Sequence, residues 1–174
     1  MPAPFRITTI SLGNICRSPM AEVILRERIS ATSLADLVIV DSAGTGDWHI
    51  GHPADPRASA TLDAHRYSRG EHRARQIDET WIDEINLALV MDSSNYRDVE
   101  AIMRRAQAST ELHMLRSFDA SLAHLEAPHP ELDVPDPDYG GDDGFVDVLR
   151  RIERASDGVI DYVASVIDRD TQTR

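Results

Sequence analysis

The sequence predicts an α/β fold: a single domain over residues 1–174, with a four-stranded parallel sheet flanked by helices on both faces. Three observations carry this. Short apolar, β-branched runs recur at 5–10, 36–41, 87–91 and 112–115. Segments of helical periodicity separate them, and strands alternating with helices imply parallel pairing through right-handed crossovers. The 174 residues, 41% hydrophobic and 28% charged, suit one globular unit with a substantial core.

Phe5-Arg6-Ile7-Thr8-Thr9-Ile10 reads as the first strand and Met20 to Ile29 as the first helix. Ser18 is a natural N-cap for that helix, and Pro19 fits its first position, where a missing N–H costs nothing. Asp36 to Asp41 reads as a buried strand. It opens into a long glycine- and proline-rich loop, Ser42 to Pro53, that carries Trp48, His49 and His52. His49 and His52 read as loop or surface residues. A helix runs from Asp55-Pro56-Arg57 to about His65, followed by a polar connection, Tyr67 to Asp78, and a short helical piece near Thr80 to Glu84. Leu87 to Met91 is the third strand, and the next helix places Tyr96, Val99, Ile102 and Met103 on one face. Leu112 to Leu115 is the fourth strand, and Ser117 to Asp143 is irregular and acidic. In the last helix Phe145, Leu149, Ile152, Val159, Val163 and Ile167 recur at helical spacing, with Gly158 weakening it locally.

Composition narrows the function. A net charge of −12 argues against nucleic acid as a partner. No apolar run approaches the length of a membrane span, and Met1-Pro2-Ala3-Pro4 lacks the pattern of a signal peptide, so a cytoplasmic location is expected. The single cysteine, Cys16, excludes an intramolecular disulfide and a thiolate-rich metal site. The acidic stretch Asp133 to Asp143 fails the spacing of a calcium loop, so no metal is expected.

In a sheet of this kind, ligands bind beyond the carboxyl ends of the strands. Ser11-Leu12-Gly13-Asn14-Ile15-Cys16-Arg17-Ser18 lies there, between a strand and a helix N-terminus. Such a loop points backbone N–H groups and the positive end of a helix at one spot, which suits a phosphate or sulfate. Arg17 adds a two-pronged grip on phosphate oxygens.

From Ser11 to Glu22 the chain resembles the phosphate loop of the low-molecular-weight protein tyrosine phosphatases, Cys-x-Gly-Asn-x-Cys-Arg-Ser-Pro-x-Ala-Glu. Every fixed position matches except the first, where Ser11 stands. The resemblance continues in order through Asp41-Ser42-Ala43-Gly44-Thr45-Gly46-Asp47-Trp48-His49, Asp55-Pro56-Arg57-Ala58, His72-Arg73-Ala74-Arg75-Gln76, Met91-Asp92 with Asn95, and Asp136-Pro137-x-Tyr139-Gly140. It covers nearly the whole chain. It implies hydrolysis of phosphotyrosine in proteins or peptides through a cysteinyl-phosphate intermediate, with no cofactor. By position, residue 11 is the nucleophile, Arg17 holds the transition-state oxygens, and Asp136 is the general acid and then the base. The family pattern also implies that Asn14, Ser18, Ser42, His72 and Asp92 support the loop, and that Trp48 and Tyr139 wall an aromatic slot. Asp138 replaces an aromatic residue common beside the tyrosine, which adds negative charge to the rim and biases substrates toward basic flanking residues.

Ser11 is the main departure. An alcohol ionises several units above a thiol, and serine hydrolases overcome this with an adjacent base that the pattern here does not supply. The chain is therefore expected to bind phosphate esters with little or no turnover. Two origins fit: replacement of the nucleophile in an active parent, as in an engineered Cys→Ser variant, or a natural pseudophosphatase serving as a phosphotyrosine-binding module. Retention of Asp136 and the support network favours the first. An arsenate reductase would need additional cysteines. A phosphoarginine phosphatase of the same family is the remaining enzymatic alternative, although such relatives tend to carry threonine where Ile15 stands.

Overall fold

Side chains along the strands alternate between two apolar layers, and this fixes the architecture. Ile7, Leu87, Leu89 and Met91 face one layer, while Ile10, Ala88 and Val90 face the other. Strands buried on both faces belong to a parallel sheet covered by helices on each side. The computed structural model describes residues 2–139 and 141–174, without the side chains of Tyr139 and Asp142. It contains β1 (Phe5–Ser11), α1 (Arg17–Ser30), β2 (Val38–Gly44), α2 (Pro56–Ala64), α3 (Glu79–Ile82), β3 (Leu87–Val90), α4 (Ser93–Ala106), β4 (Glu111–Met114) and α5 (Asp142–Gln172). All pairings are parallel, in the order β2-β1-β3-β4. The layer containing Ile7 and Leu89 is completed by α1, α2 and α5, and the opposite layer by α3 and α4.

Three sequence expectations need correction. The second strand does not start at Asp36: it begins at Val38 and runs on through Ser42, Ala43 and Gly44, which pair with Thr9, Ile10 and Ser11. Ala43 is fully buried, so pairing and burial override the turn-forming composition. The first helix starts at Arg17 with Cys16 at its N-cap and no side-chain cap, because the Ser18 hydroxyl is engaged elsewhere. Gly158 does more than weaken α5. A Cβ there would meet the Phe118 carbonyl oxygen at 2.2 Å, so glycine is what lets the helix lie against the Leu115–Phe118 turn.

The carboxyl ends of β1, β2 and β3 open on one rim. Thr45 and Gly46 donate from the end of β2 to the carbonyls of Ser11 and Leu12, at 2.9 Å each. Val134 donates to the Met91 carbonyl at 2.7 Å, which docks the irregular acidic segment at the end of β3.

Candidate active site

The 11–18 loop turns at Asn14, whose φ of +59° lies in the left-handed region that asparagine tolerates better than most residues. Its buried side chain uses every polar atom it has. Nδ2 donates to Ser18 Oγ at 2.9 Å and to Ser42 Oγ at 3.0 Å, while Oδ1 accepts from the Arg75 amide at 2.9 Å. His72 Nε2 lies 2.6 Å from the Asn14 carbonyl oxygen and holds the turn from the other side. Beneath it, Gly44 has no space for a side chain: a Cβ would stand 2.7 Å from the Leu12 carbonyl oxygen. The loop is thus pinned by bonds that leave its own amides aside. Among the described residues, the N–H groups of residues 12–16 give no hydrogen bond to a backbone or side-chain acceptor. A concave run of free amides beside a helix N-terminus is a receptor for a dianionic phosphate.

Ser11 ends β1 at the base of this concavity, almost fully buried. Its hydroxyl shares a 2.7 Å hydrogen bond with that of Ser18. No imidazole or carboxylate lies within hydrogen-bond distance of Ser11 Oγ among the described residues. Arg17 is 4% exposed, and its Nη1 donates to Asp92 Oδ2 at 2.8 Å and to the Val134 carbonyl at 2.9 Å. Asp92 also caps α4 in a reciprocal box with Asn95, so one carboxylate both starts the helix and fixes the arginine. Asp136 Oδ2 stands 3.8 Å from Arg17 Nη2, and Asp136 Oδ1 accepts from the Asp138 amide at 3.0 Å.

Ser11, Leu12, Gly13, Asn14, Ile15, Cys16, Arg17, Trp48, His49, Asp136 and Asp138 line a cleft of about 180 Å³. Trp48 stands at its mouth, 66% exposed. His49, expected as a loop or surface residue, lies in the loop and lines the cleft. Nothing in its local pattern distinguishes it from His52. The Tyr139 side chain, expected as the second wall, lies outside the described residues. Asp138 lines the cleft as expected, and its half-exposed carboxylate also accepts from Arg57 at 2.6 Å. A larger cavity of about 600 Å³ lies behind His72, lined by α1, α2 and residues 69–73. It holds none of the free amides, so size alone does not locate the chemistry.

Cys16 is no alternative nucleophile. Burial pushes its thiol up to about 12, and Asp55, Asp138 and Asp136 push the same way against the opposing charge of Arg57. The thiol stays protonated, and it is the thiolate that attacks.

The family model for the low molecular weight phosphotyrosine protein phosphatases matches residues 6–172. The chain belongs to this family. A low molecular weight protein-tyrosine-phosphatase of Streptomyces coelicolor is 39% identical over 164 residues, which span 94% of this chain and 96% of the relative. Among solved structures, a protein tyrosine phosphatase of Entamoeba histolytica with Hepes in its active site superposes with a TM-score of 0.80 at 27% identity, covering 92% of this chain and 97% of that one. A Drosophila arginine phosphatase superposes equally well, with a TM-score of 0.80 at 25% identity over 90% of this chain and 96% of that one.

Proposed function

We propose that the cleft binds the phosphotyrosine of proteins and peptides, and that its architecture serves monoester hydrolysis through a nucleophile at residue 11. In the chain as it stands, Ser11 leaves binding with little or no turnover. The observation that carries this is the surroundings of the Ser11 hydroxyl. Its one hydrogen-bond partner among the described residues is Ser18 Oγ, at 2.7 Å, and a hydroxyl is not a base that activates another hydroxyl.

The groups around residue 11 support the rest of the reaction. The free amides and Arg17 receive the three phosphate oxygens, where charge accumulates in the transition state. A thiolate at residue 11 would attack phosphorus and displace the phenolate, which takes its proton from Asp136. Asp136 would then draw a proton from the water that hydrolyses the phosphoenzyme. Trp48 offers an aromatic face to the phenyl ring. With Arg17, Asp136 and the loop supports all present, residue 11 reads as the position of a replaced nucleophile.

The test compares the chain with its Ser11→Cys variant on aryl phosphates at mildly acidic pH. We expect kcat/KM to rise at least roughly a thousandfold, the scale set by removing a nucleophile from a covalent mechanism. The Ser11 chain should bind inorganic phosphate with amide NMR shifts centred on residues 12–18. A Ser11→Cys variant as inert as the parent would refute the phosphatase reading, while phosphate binding without activity would favour a binding module. The likeness to an arginine phosphatase gives phosphoarginine as the second substrate to try. Ile15 and exposed Trp48 in the cleft favour phosphotyrosine.

A further inference from the structure

Asp136 sits on a segment anchored at both ends. At the near end, Asp133 Oδ1 accepts from the Ser93 amide and hydroxyl at 2.8 Å each, and the Val134 amide bonds to Met91. At the far end, Asp138 reaches Arg57. The Arg57 guanidinium is engaged through two of its nitrogens. Nε and Nη2 donate to the two oxygens of Asp55 at 3.1 and 2.8 Å, Nη2 also donates to Asp138 Oδ1 at 2.6 Å, and the group lies 4.8 Å above the Phe145 ring. Asp55 in turn belongs to the phosphate loop's frame, since its amide donates to the Ile15 carbonyl at 2.8 Å.

We infer that Arg57 is a positioning residue for the general acid: it ties the Asp136 segment to the phosphate loop through Asp55 on one side and Asp138 on the other. The last link is short, because the Asp138 amide donates to Asp136 Oδ1 at 3.0 Å, and holding Asp138 therefore orients the acid's carboxylate. The Arg57–Asp138 pair alone is half exposed and contributes little to stability. Its value is geometric, because a bidentate guanidinium stacked on a ring has one orientation. The inference rests on Asp136 acting as the acid in the proposed reaction.

The experiment uses the Ser11→Cys form and a series of aryl phosphates whose leaving groups differ in pKa. A misplaced acid slows poor leaving groups selectively, whereas a merely structural lesion slows all of them alike. Arg57→Met and Asp138→Asn should each lower kcat/KM for phenyl phosphate roughly tenfold, part of the roughly hundred- to ten-thousand-fold a general acid supplies. p-Nitrophenyl phosphate should lose much less. The double variant should be no worse than either single one, since both break one linkage. Equal losses across the series, or additive ones, would overturn the inference. A second arm does not depend on turnover: in the Ser11 chain, Arg57→Met should lower the backbone ¹⁵N order parameters of residues 136–138 and leave residues 12–18 unchanged. Unchanged order at 136–138 would overturn the inference as well. An inert Ser11→Cys form would instead remove the phosphatase reading and leave the anchor itself to be decided by this arm.

Discussion

Asn14 shows how much one side chain carries in this fold. Its amide joins Ser18, Ser42 and the Arg75 backbone, while its own φ of +59° sets the turn that exposes the loop amides. Replacement by alanine removes the partner of the part-buried Arg75 N–H and the amide that joins the buried Ser18 and Ser42 hydroxyls, and it puts a less tolerant residue in the left-handed region. Asn14→Ala is expected to lower the unfolding free energy by about 2–3 kcal/mol, read from urea titrations. Phosphate affinity should fall at least about tenfold, equivalent to about 1.4 kcal/mol, in an NMR titration of the loop amides. Unchanged phosphate affinity would mean that His72 and the Gly44 contact hold the loop without Asn14. The resemblance implied that Asn14, Ser18, Ser42 and His72 act together. The bond from Asn14 to the Arg75 amide was not legible, because a backbone donor leaves no trace in residue identity.

Elements behave differently, since their position in sequence is clear and their packing is not. Gly158 sits inside the best helical pattern in the chain, and propensity alone predicts that alanine would stabilise it by about 1 kcal/mol. The Phe118 carbonyl 2.2 Å from the missing Cβ reverses that sign. Displacing a packed backbone segment costs about 1–3 kcal/mol or more. Gly158→Ala should therefore lower Tm by a few degrees in a thermal melt, at about 2–4 °C per kcal/mol for a chain of this size. A raised Tm would show that the Leu115–Phe118 turn yields freely. The end of β2 carries the same lesson. Ser42-Ala43-Gly44 reads as loop, but pairing with Thr9, Ile10 and Ser11 makes it strand and delivers the Ser42 hydroxyl to Asn14.

At the scale of the whole molecule, the −12 net charge coexists with a loop of free amides proposed to receive an anion. Some of the acids are held in local pairs: Asp92 on Arg17, Asp55 and Asp138 on Arg57, Asp41 on Arg6, and Glu153 beside Arg28 and Arg150. Two of these carboxyls, Asp55 and Glu153, sit below their ordinary range. Hydrogen bonds from the Arg57 side chain lower Asp55, and for Glu153 burial is outweighed by Tyr67 and Arg150. A carboxyl with a folded-state pKa below its unfolded one contributes stability that is present above the unfolded value. That stability is lost as pH falls through the folded value. Urea midpoints are thus expected to be flat from pH 7 to about 5 and to fall steadily below about 4, where unfolded carboxyls titrate. A midpoint that rises on acidification would mean that repulsion among the acids outweighs these pairs. Among the described residues, no helix is long and apolar enough to cross a membrane.

The sequence by itself determined the layered α/β architecture, because alternating strand and helix periods admit few ways to bury both faces of a sheet. It also located the loop proposed to bind phosphate, since glycine, asparagine, arginine and a helix start are contiguous there. It marked Ser11 as the anomaly. Only the tertiary structure decided that Asp138 is paired with Arg57, that His49 lines the cleft, and that Ser18 serves the loop rather than the helix cap. The physical reason is the same in each case. A polar side chain takes the partner the fold brings within 3 Å, 7 residues away for Ser18 with Ser11 and 81 for Arg57 with Asp138. His49 reaches the cleft for the same reason, because the sheet's rim closes there.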